Sequence, residues 1–228
     1  MQSAVLPSAA MSISSPFAHI TPPGLAVGVA AISELQQSVH EQEWQDICHA
    51  QPKRQREFMA GRNLVKALTE HLNLPPHPLR RSEDRAPVWE SGRTGSLSHC
   101  HALCAAAVSD TRQAQAVGID IETLGRVEPK LWATLFTEAE RGFLESLAPS
   151  EQTFASTALF SAKETFYKCQ FTLTQQWVGF QEVDVTWIDE SRCRIAPTQG
   201  PPKLWHEPEI LIQRIDAEHL ATLMWIAH

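Results

Sequence analysis

The chain has 228 residues, of which 43% are hydrophobic, so it can bury the core of one large domain or two small ones. Its formal net charge of −7 gives no dominant basic field, which excludes general nucleic-acid binding. No apolar stretch is long enough to span a bilayer, and the five cysteines lack framework spacing. We therefore expect a cytoplasmic protein with free thiols and no membrane partner.

The N-terminal part of the chain predicts a strand, a helix and a loop. Residues 1–20 have no recognisable pattern, and we expect them to be poorly ordered. The apolar segment 24–32 predicts a buried strand. In 55–72, apolar residues recur every three or four positions, which predicts a long helix. Pro, Ser, Gly and charged residues then predict a loop over 75–95.

Strands and helices alternate in the middle of the chain. The small-residue run 95–109 and the apolar segment 117–122 predict paired strands. Two stretches with helical periodicity follow, at 127–147 and 152–170.

The C-terminal part of the chain changes to a period of two. Three segments, 182–189, 209–216 and 220–227, alternate or form short apolar runs, which predicts an antiparallel sheet. The whole order predicts an α+β fold with two halves, 21–115 and 116–228.

Two acidic side chains share one face of the strand VGIDIE, 117–122. Because side chains alternate along a strand, Asp120 and Glu122 point together, and Ile119 and Ile121 point to the opposite face. Like charges held side by side repel unless a cation lies between them. The pattern therefore predicts a cation site.

The helix 152–170 presents a charged pair, Glu164 and Lys168, one turn apart. Its opposite side carries an apolar stripe of Ala155, Leu159, Ala162 and Phe166. Taken alone, the pair is typical of a solvated helix surface and is worth only a few tenths of a kcal/mol. However, Phe160 and Tyr167 flank it, which favours a site for a charged ligand.

The strand and the helix together supply three carboxylates, from Asp120, Glu122 and Glu164. Carboxylate oxygens are the hard ligands that Mg²⁺ takes, usually with positions left for water and phosphate. Lys168, one turn beyond Glu164, would neutralise charge that develops on a phosphate oxygen.

The stretch LSHCH, 97–101, allows other interpretations. A zinc site would use four crowded residues, His99, Cys100, His101 and Cys104. Their spacing lacks the usual separated pairs, so we favour thiols that fill the core. A hydrolase dyad of Ser98 and His99 is disfavoured because neighbours on a strand point apart and no GxSxG motif is present. Phosphate or nucleotide binding suits both side chains better, since both can donate hydrogen bonds.

Taken together, the motifs resemble the 4′-phosphopantetheinyl transferases, in particular the type that serves siderophore, peptide and polyketide synthases. The matching segments stand in the family's order at 53–62, 84–89, 95–100, 117–122, 136–141, 159–168 and 171–180. Each segment alone is weakly specific, whereas their combination is specific and covers roughly residues 40–190.

The resemblance implies a reaction and its participants. A family member transfers the 4′-phosphopantetheine arm of coenzyme A to a serine of an acyl, peptidyl or aryl carrier protein and releases adenosine 3′,5′-bisphosphate. It requires Mg²⁺, with Mn²⁺ as an alternative. The implied fold is a monomer of two similar α+β halves with coenzyme A in the cleft between them.

The resemblance also assigns the metal and the catalytic residues. The metal ligands correspond to Asp120, Glu122 and Glu164. The catalytic residues correspond to Glu164, Lys168 and Asp120, with Glu164 as general base and Lys168 assisting the leaving group.

Further positions correspond to residues that bind coenzyme A. The family residues that hold the 3′-phosphate and the adenine of coenzyme A correspond to Arg54, Arg62, Ser98 and His99. Arg85 stands where some relatives have a lysine before proline. The lysine that contacts the diphosphate of coenzyme A corresponds to Lys168, and Lys163 stands beside it. The apolar tunnel for the pantetheine arm corresponds to Phe160, Tyr167 and Trp177.

Two other functions remain open at the level of sequence. A homologue that binds carrier domains without transfer would not need the intact set of Asp120, Glu122, Glu164 and Lys168. A metal-dependent nucleotide pyrophosphohydrolase would transfer the β-phosphoryl group to water. The aromatic side chains of Phe160 and Trp177 instead favour a substrate with a long organic arm.

Overall fold

The computed structural model of the protein describes residues 4–8, 11–198 and 208–228. The chain divides into two compact units, Met1–Val117 with Ala227–His228, and Gly118–Ile226. Each unit combines helices with a five-stranded sheet, which confirms the α+β class. Within the described ranges, no helix is both long enough and apolar enough to cross a bilayer.

The first unit is a sheet covered by one long helix. Its strands are β1 (Ala4–Ser8), β2 (Met11–Ser15), β3 (Leu25–Ala31), β4 (Arg80–Arg81), β5 (Pro87–Val88), β6 (Arg93–His99) and β7 (Leu103–Asp110). Its helices are α1 (Glu41–Gln45) and α2 (Pro52–His71). The sheet order is β1-β2-β3-β7-β6, and α2 packs on β3 and β7. The predicted strand 24–32 and helix 55–72 are thus confirmed as β3 and α2.

The structure differs from the sequence expectation at two places in this unit. Poor order was expected for 1–20, of which 1–3 and 9–10 lie outside the described residues. From Met11 onward, β2 pairs with β3, and the side chains of Ile13 and Phe17 are fully buried. The run 95–109 forms a hairpin, β6 and β7, because the chain turns after His99.

The second unit, like the first, consists of a five-stranded sheet with one long helix packed on it. Its strands are β8 (Ala116–Thr123), whose first two residues are counted with the first unit, β9 (Val183–Asp189), β10 (Arg192–Pro197), β11 (Glu209–Arg214) and β12 (His219–Ile226), in the order β8-β12-β11-β10-β9. Its helices are α3 (Trp132–Leu135), α4 (Glu138–Ser146) and α5 (Pro149–Thr174). Helix α5 packs on β12, and its apolar stripe is buried as predicted. The helix expected over 127–147 is divided because Thr137 caps α4.

A buried glutamate anchors a short helix in each unit. Glu43 in α1 and Glu140 in α4 occupy the third position of a capping box. The Oε1 atom of Glu43 accepts a hydrogen bond from the backbone N–H of Leu79 at 2.7 Å. The Oε1 atom of Glu140 accepts one from Val185 at 2.8 Å. In both units the carboxylate thus ties the short helix to the segment that follows the long helix.

Candidate active site

The predicted site residues fall into two groups, one in each unit. The first unit contains Arg54, Arg62, Arg85, Ser98 and His99. The second contains Asp120, Glu122, Phe160, Lys163, Glu164, Tyr167, Lys168 and Trp177.

A glycine allows β8 and α5 to approach backbone to backbone. A Cβ atom added at Gly118 would lie 2.0 Å from the carbonyl oxygen of Thr165, so no larger residue fits there. This close approach places Asp120 of β8 against two polar residues of α5. Its Oδ2 accepts a hydrogen bond from Ser161 Oγ at 2.7 Å, and its Oδ1 accepts one from Lys168 Nζ at 2.6 Å.

Lys168 contacts the carboxylates of Asp120 and Glu164, and the charge of Asp120 also acts on Glu122. Lys168 Nζ lies 2.6 Å from Asp120 Oδ1 and 3.9 Å from Glu164 Oε2. Burial, assisted by the negative charge of Asp120, raises the pKa of Glu122 to about 7. Burial also raises the pKa of Glu164, and the Lys168 ammonium opposes that shift. The Glu164–Lys168 pair is therefore partly buried and lies beside the carboxylate of Asp120. In this respect it differs from a solvated pair on a helix surface and suits a site for a charged ligand.

Aromatic side chains surround a cavity of about 230 Å³ beside Glu164. Tyr167 and Trp177 line it, with their ring centroids 4.9 Å apart, and Phe180 lines it as well. Phe160 packs on Phe180 with a centroid distance of 5.5 Å. Trp177 is 74% exposed, which is unusual for so large an apolar ring. Sequence reasoning missed Phe180, although it follows Trp177 by three residues.

The ammonium of Lys163 lies in the interior of the second unit. Its Nζ atom is 2.6 Å from Glu140 Oε2, and both side chains are almost completely buried. It also donates hydrogen bonds to the backbone carbonyls of Leu135 and Phe180. Burial lowers the pKa of Lys163, and Glu140 opposes that shift. These contacts show that Lys163 stabilises the unit. Lys163 also lines the cavity beside Glu164, and its contact with coenzyme A stays a prediction.

We expect Glu140→Ala to reduce the free energy of unfolding by about 3–5 kcal/mol, because it leaves the buried Lys163 ammonium unpaired. Urea denaturation followed by circular dichroism measures the change. Glu145→Ala, at an exposed position of the same helix, should change stability by less than about 0.5 kcal/mol. Adding Lys163→Met to Glu140→Ala should recover part of the loss, and no recovery would contradict the ion-pair explanation.

In the first unit, Arg54 and His99 are in direct contact. Arg54 Nη1 lies 2.6 Å from His99 Nε2 and 3.3 Å from Glu57 Oε2. Glu57 Oε2 also lies 3.7 Å from His99 Nε2, so this ring nitrogen faces both a guanidinium and a carboxylate. Glu57 was missed by sequence reasoning, although its spacing of three residues from Arg54 on a helix could have revealed it. Ser98 precedes His99 on β6.

Arg62 and Arg85 have different surroundings. Arg62 lines a cavity of about 380 Å³, stacks over the Phe58 ring at 3.8 Å and donates from Nε to the Leu79 carbonyl at 3.0 Å. Burial lowers its pKa to about 10. Arg85 is exposed in the turn between β4 and β5, with a φ of 67°, a conformation that non-glycine residues rarely adopt. Their contacts with coenzyme A stay predictions.

The cysteines near His99 are core residues. Cys100 and Cys104 are buried, and burial raises the pKa of the Cys104 thiol to about 12, which disfavours the thiolate that zinc requires. This agrees with the interpretation of the thiols as core filler. Across residues 4–8, 11–198 and 208–228, no group of three or more His, Cys, Asp or Glu side chains has the arrangement of a formed metal site.

Two family profiles match the chain. The profile of the 4′-phosphopantetheinyl transferase N-terminal domain matches residues 41–109, and that of the 4′-phosphopantetheinyl transferase superfamily matches 116–223. The chain belongs to the 4′-phosphopantetheinyl transferase family. The second profile covers β8, α5 and the aromatic segment described above, so the candidate residues of the second unit lie within the part of the chain that matches the superfamily.

Individual proteins similar to this chain include two that are named 4′-phosphopantetheinyl transferases and one that is named as a component of enterobactin synthase. Npt from Nocardia iowensis is 31% identical over 147 residues, 64% of this chain and 65% of that protein. PptT from Mycobacterium tuberculosis is 30% identical over 145 residues, 64% and 63% of the two chains. Enterobactin synthase component D from Escherichia coli K12 is 38% identical over 142 residues, 60% and 64%. The chain thus spans slightly less than two thirds of these relatives' lengths.

Asp120, Glu122 and Glu164 are not gathered into a metal-holding cluster within the described part of the chain, but the chemistry of these donors fits the divalent cation that the family resemblance implies. Asp120, Glu122 and Glu164 offer only hard carboxylate oxygens. Burial, assisted by the negative charge of Asp120, raises the pKa of Glu122 and of Glu164, a cost that a bound cation would offset. The ammonium of Lys168 contacts two of the three carboxylates. The metal ligands themselves stay a prediction.

Proposed function

We propose that the protein transfers the 4′-phosphopantetheine arm of coenzyme A to a serine of an apo carrier protein and releases adenosine 3′,5′-bisphosphate. The observation that carries the proposal is the contact of Lys168 with Asp120 and Glu164 inside the segment that matches the superfamily profile. The names of Npt and PptT support the same reaction, and the name enterobactin synthase component D supports a synthase as the source of the carrier. The family resemblance extends the expected carriers to those of siderophore, peptide and polyketide synthases.

In the proposed reaction, Glu164 accepts the proton of the carrier serine hydroxyl. The serine oxygen forms a bond to the β-phosphorus of coenzyme A, and the bond from that phosphorus to the bisphosphate oxygen breaks. The Lys168 ammonium stabilises the charge that develops on the departing oxygen. A Mg²⁺ or Mn²⁺ ion held by Asp120, Glu122 and Glu164 would supply further charge stabilisation at the diphosphate.

The surroundings of the carboxylates favour a transferase over the two other functions. The aromatic walls of Tyr167, Trp177 and Phe180 provide an apolar surface for the pantetheine arm, which a pyrophosphohydrolase does not need. A carrier-binding homologue without activity would not need the contact of Lys168 with Asp120. In the first unit, the contact of Arg54 with His99 supports a shared role for these two residues at the 3′-phosphate of coenzyme A.

The remaining expectations are part of the same proposal. The occurrence of an anchoring capping-box glutamate in both units, Glu43 and Glu140, supports two similar halves. The cleft location of the active site, the boundary at residue 116, the monomeric state, the cytoplasmic location and the absence of nucleic-acid or membrane partners stay predictions.

The deciding experiment is intact-protein mass spectrometry of a panel of apo acyl, peptidyl and aryl carrier proteins after incubation with this protein, coenzyme A and Mg²⁺. We expect one carrier or more to gain the mass of a single phosphopantetheine group, and the gain to disappear with EDTA. Adenosine bisphosphate released without a carrier would instead favour the pyrophosphohydrolase. Carrier binding without any mass gain would favour the inactive homologue.

A further inference from the structure

Three buried hydroxyl groups form a chain that ends at Asp120. Ser161 and Thr165 lie one turn apart on α5, and Thr222 lies opposite them on β12; all three are fully buried. Thr165 Oγ1 is 2.6 Å from Thr222 Oγ1, and Thr222 Oγ1 is 2.8 Å from Ser161 Oγ. Ser161 Oγ is 2.7 Å from Asp120 Oδ2. The chain therefore links β12, α5 and β8.

Chemistry determines the direction of the hydrogen bond at the Asp120 end of this hydroxyl chain. The carboxylate of Asp120, which contacts the Lys168 ammonium through Oδ1, can only accept hydrogen bonds, so Ser161 must donate to it. Each hydroxyl has one hydrogen, so Ser161 Oγ can accept from Thr222 and Thr222 Oγ1 can accept from Thr165. Thr222 Oγ1 also lies 3.0 Å from the Ser161 carbonyl oxygen, and Thr165 Oγ1 lies 3.3 Å from the Thr222 carbonyl oxygen, so backbone acceptors support the same residues. Hydroxyls that all point the same way polarise one another in a dry interior.

We propose that Ser161, Thr222 and Thr165 are positioning residues that fix the carboxylate of Asp120. With Oδ2 bound to Ser161, the carboxylate cannot rotate without breaking a buried hydrogen bond, which is costly in the interior. Its Oδ1 is thereby presented to Lys168 and to a cation at the site. This inference rests on the proposed function, because it assigns to the hydroxyl chain the outer-shell role that orients metal-binding carboxylates.

A double-mutant cycle, measured by urea denaturation, tests the hydrogen bond between Ser161 and Asp120 without metal, coenzyme A or carrier. Ser161→Ala should lower the urea midpoint of the wild-type protein clearly, and it should have little effect in an Asp120→Ala background, where the acceptor is missing. The matched control is Thr157→Val, which removes another fully buried hydroxyl of α5 that donates to the Thr153 carbonyl. Its effect should be equal in both backgrounds. Additive effects of Ser161→Ala and Asp120→Ala would overturn the proposal.

Mn²⁺ binding in the presence of coenzyme A, measured by electron paramagnetic resonance, tests whether the hydroxyl chain orients Asp120 for a cation. Ser161→Ala and Thr222→Val should each weaken Mn²⁺ binding by about tenfold or more. Thr222→Val should add nothing in a Ser161→Ala background, because it acts through Ser161. Thr222→Ser, which keeps the hydroxyl, and Thr157→Val should both bind Mn²⁺ as the wild type does.

The outcomes separate this inference from the proposed function. Wild-type Mn²⁺ affinity in Ser161→Ala, or independent effects of Ser161→Ala and Thr222→Val, would overturn the hydroxyl chain even in a protein that modifies carriers. A non-additive stability cycle with weakened Mn²⁺ binding would support it even if no carrier gained mass, and in that case the proposed transfer reaction would be the part that fails.

Discussion

Replacing Glu164 with glutamine should reduce the turnover of carrier modification by about 10²–10⁴-fold, the usual contribution of a general base. The amide has nearly the same shape, but it cannot accept the serine proton and is a weaker ligand for a cation. Glu164 is only partly buried, so the fold should be retained. Initial rates from mass spectrometry measure the change, and circular dichroism with urea denaturation measures the fold.

The control for this substitution is Glu145→Gln, at an exposed position of α4. It changes the charge of the protein by the same amount and should leave turnover at the wild-type value. Normal turnover in Glu164→Gln would move the general base to another group. A large drop in the urea midpoint would instead show that Glu164 is needed for the fold.

The parts of the site that follow from local periodicity could be predicted from the sequence. Alternation along β8 placed Asp120 on the face opposite Ile119 and Ile121, and helical spacing placed Glu164 and Lys168 together. Such patterns are set by the geometry of a single element and therefore survive folding. The resemblance to the family then identified the same residues on independent grounds.

The parts that depend on contacts distant in sequence could not be predicted. Nothing in the sequence shows that Glu140, 23 positions earlier, pairs with Lys163 inside the fold. Ser161 looks like an ordinary small helix residue until Thr222, 61 positions later, contacts it. A one-dimensional pattern shows which side chains share a face, but it does not show which partners the rest of the chain brings to that face.

Gly118 is a further residue whose role only the packing reveals, and Gly118→Ala should reduce the free energy of unfolding by about 3 kcal/mol, the upper end for overpacking. The added Cβ would lie 2.0 Å from the Thr165 carbonyl oxygen and 3.0 Å from Cys169 Cβ. A backbone oxygen cannot rotate away, so β8 and α5 must separate. Urea denaturation followed by circular dichroism measures the loss.

Separation of β8 from α5 should also impair catalysis, because Asp120 is on the strand and Lys168 is on the helix, 2.6 Å apart. A displacement of about 1 Å at such a site can reduce turnover about a hundredfold. Gly142→Ala is the matched control: a Cβ there meets no atom within 4 Å, and alanine in a helix interior should stabilise the protein by about 0.5–1 kcal/mol. Equal stability and turnover in Gly118→Ala and Gly142→Ala would contradict the close approach of strand and helix on which the geometry around Asp120 depends.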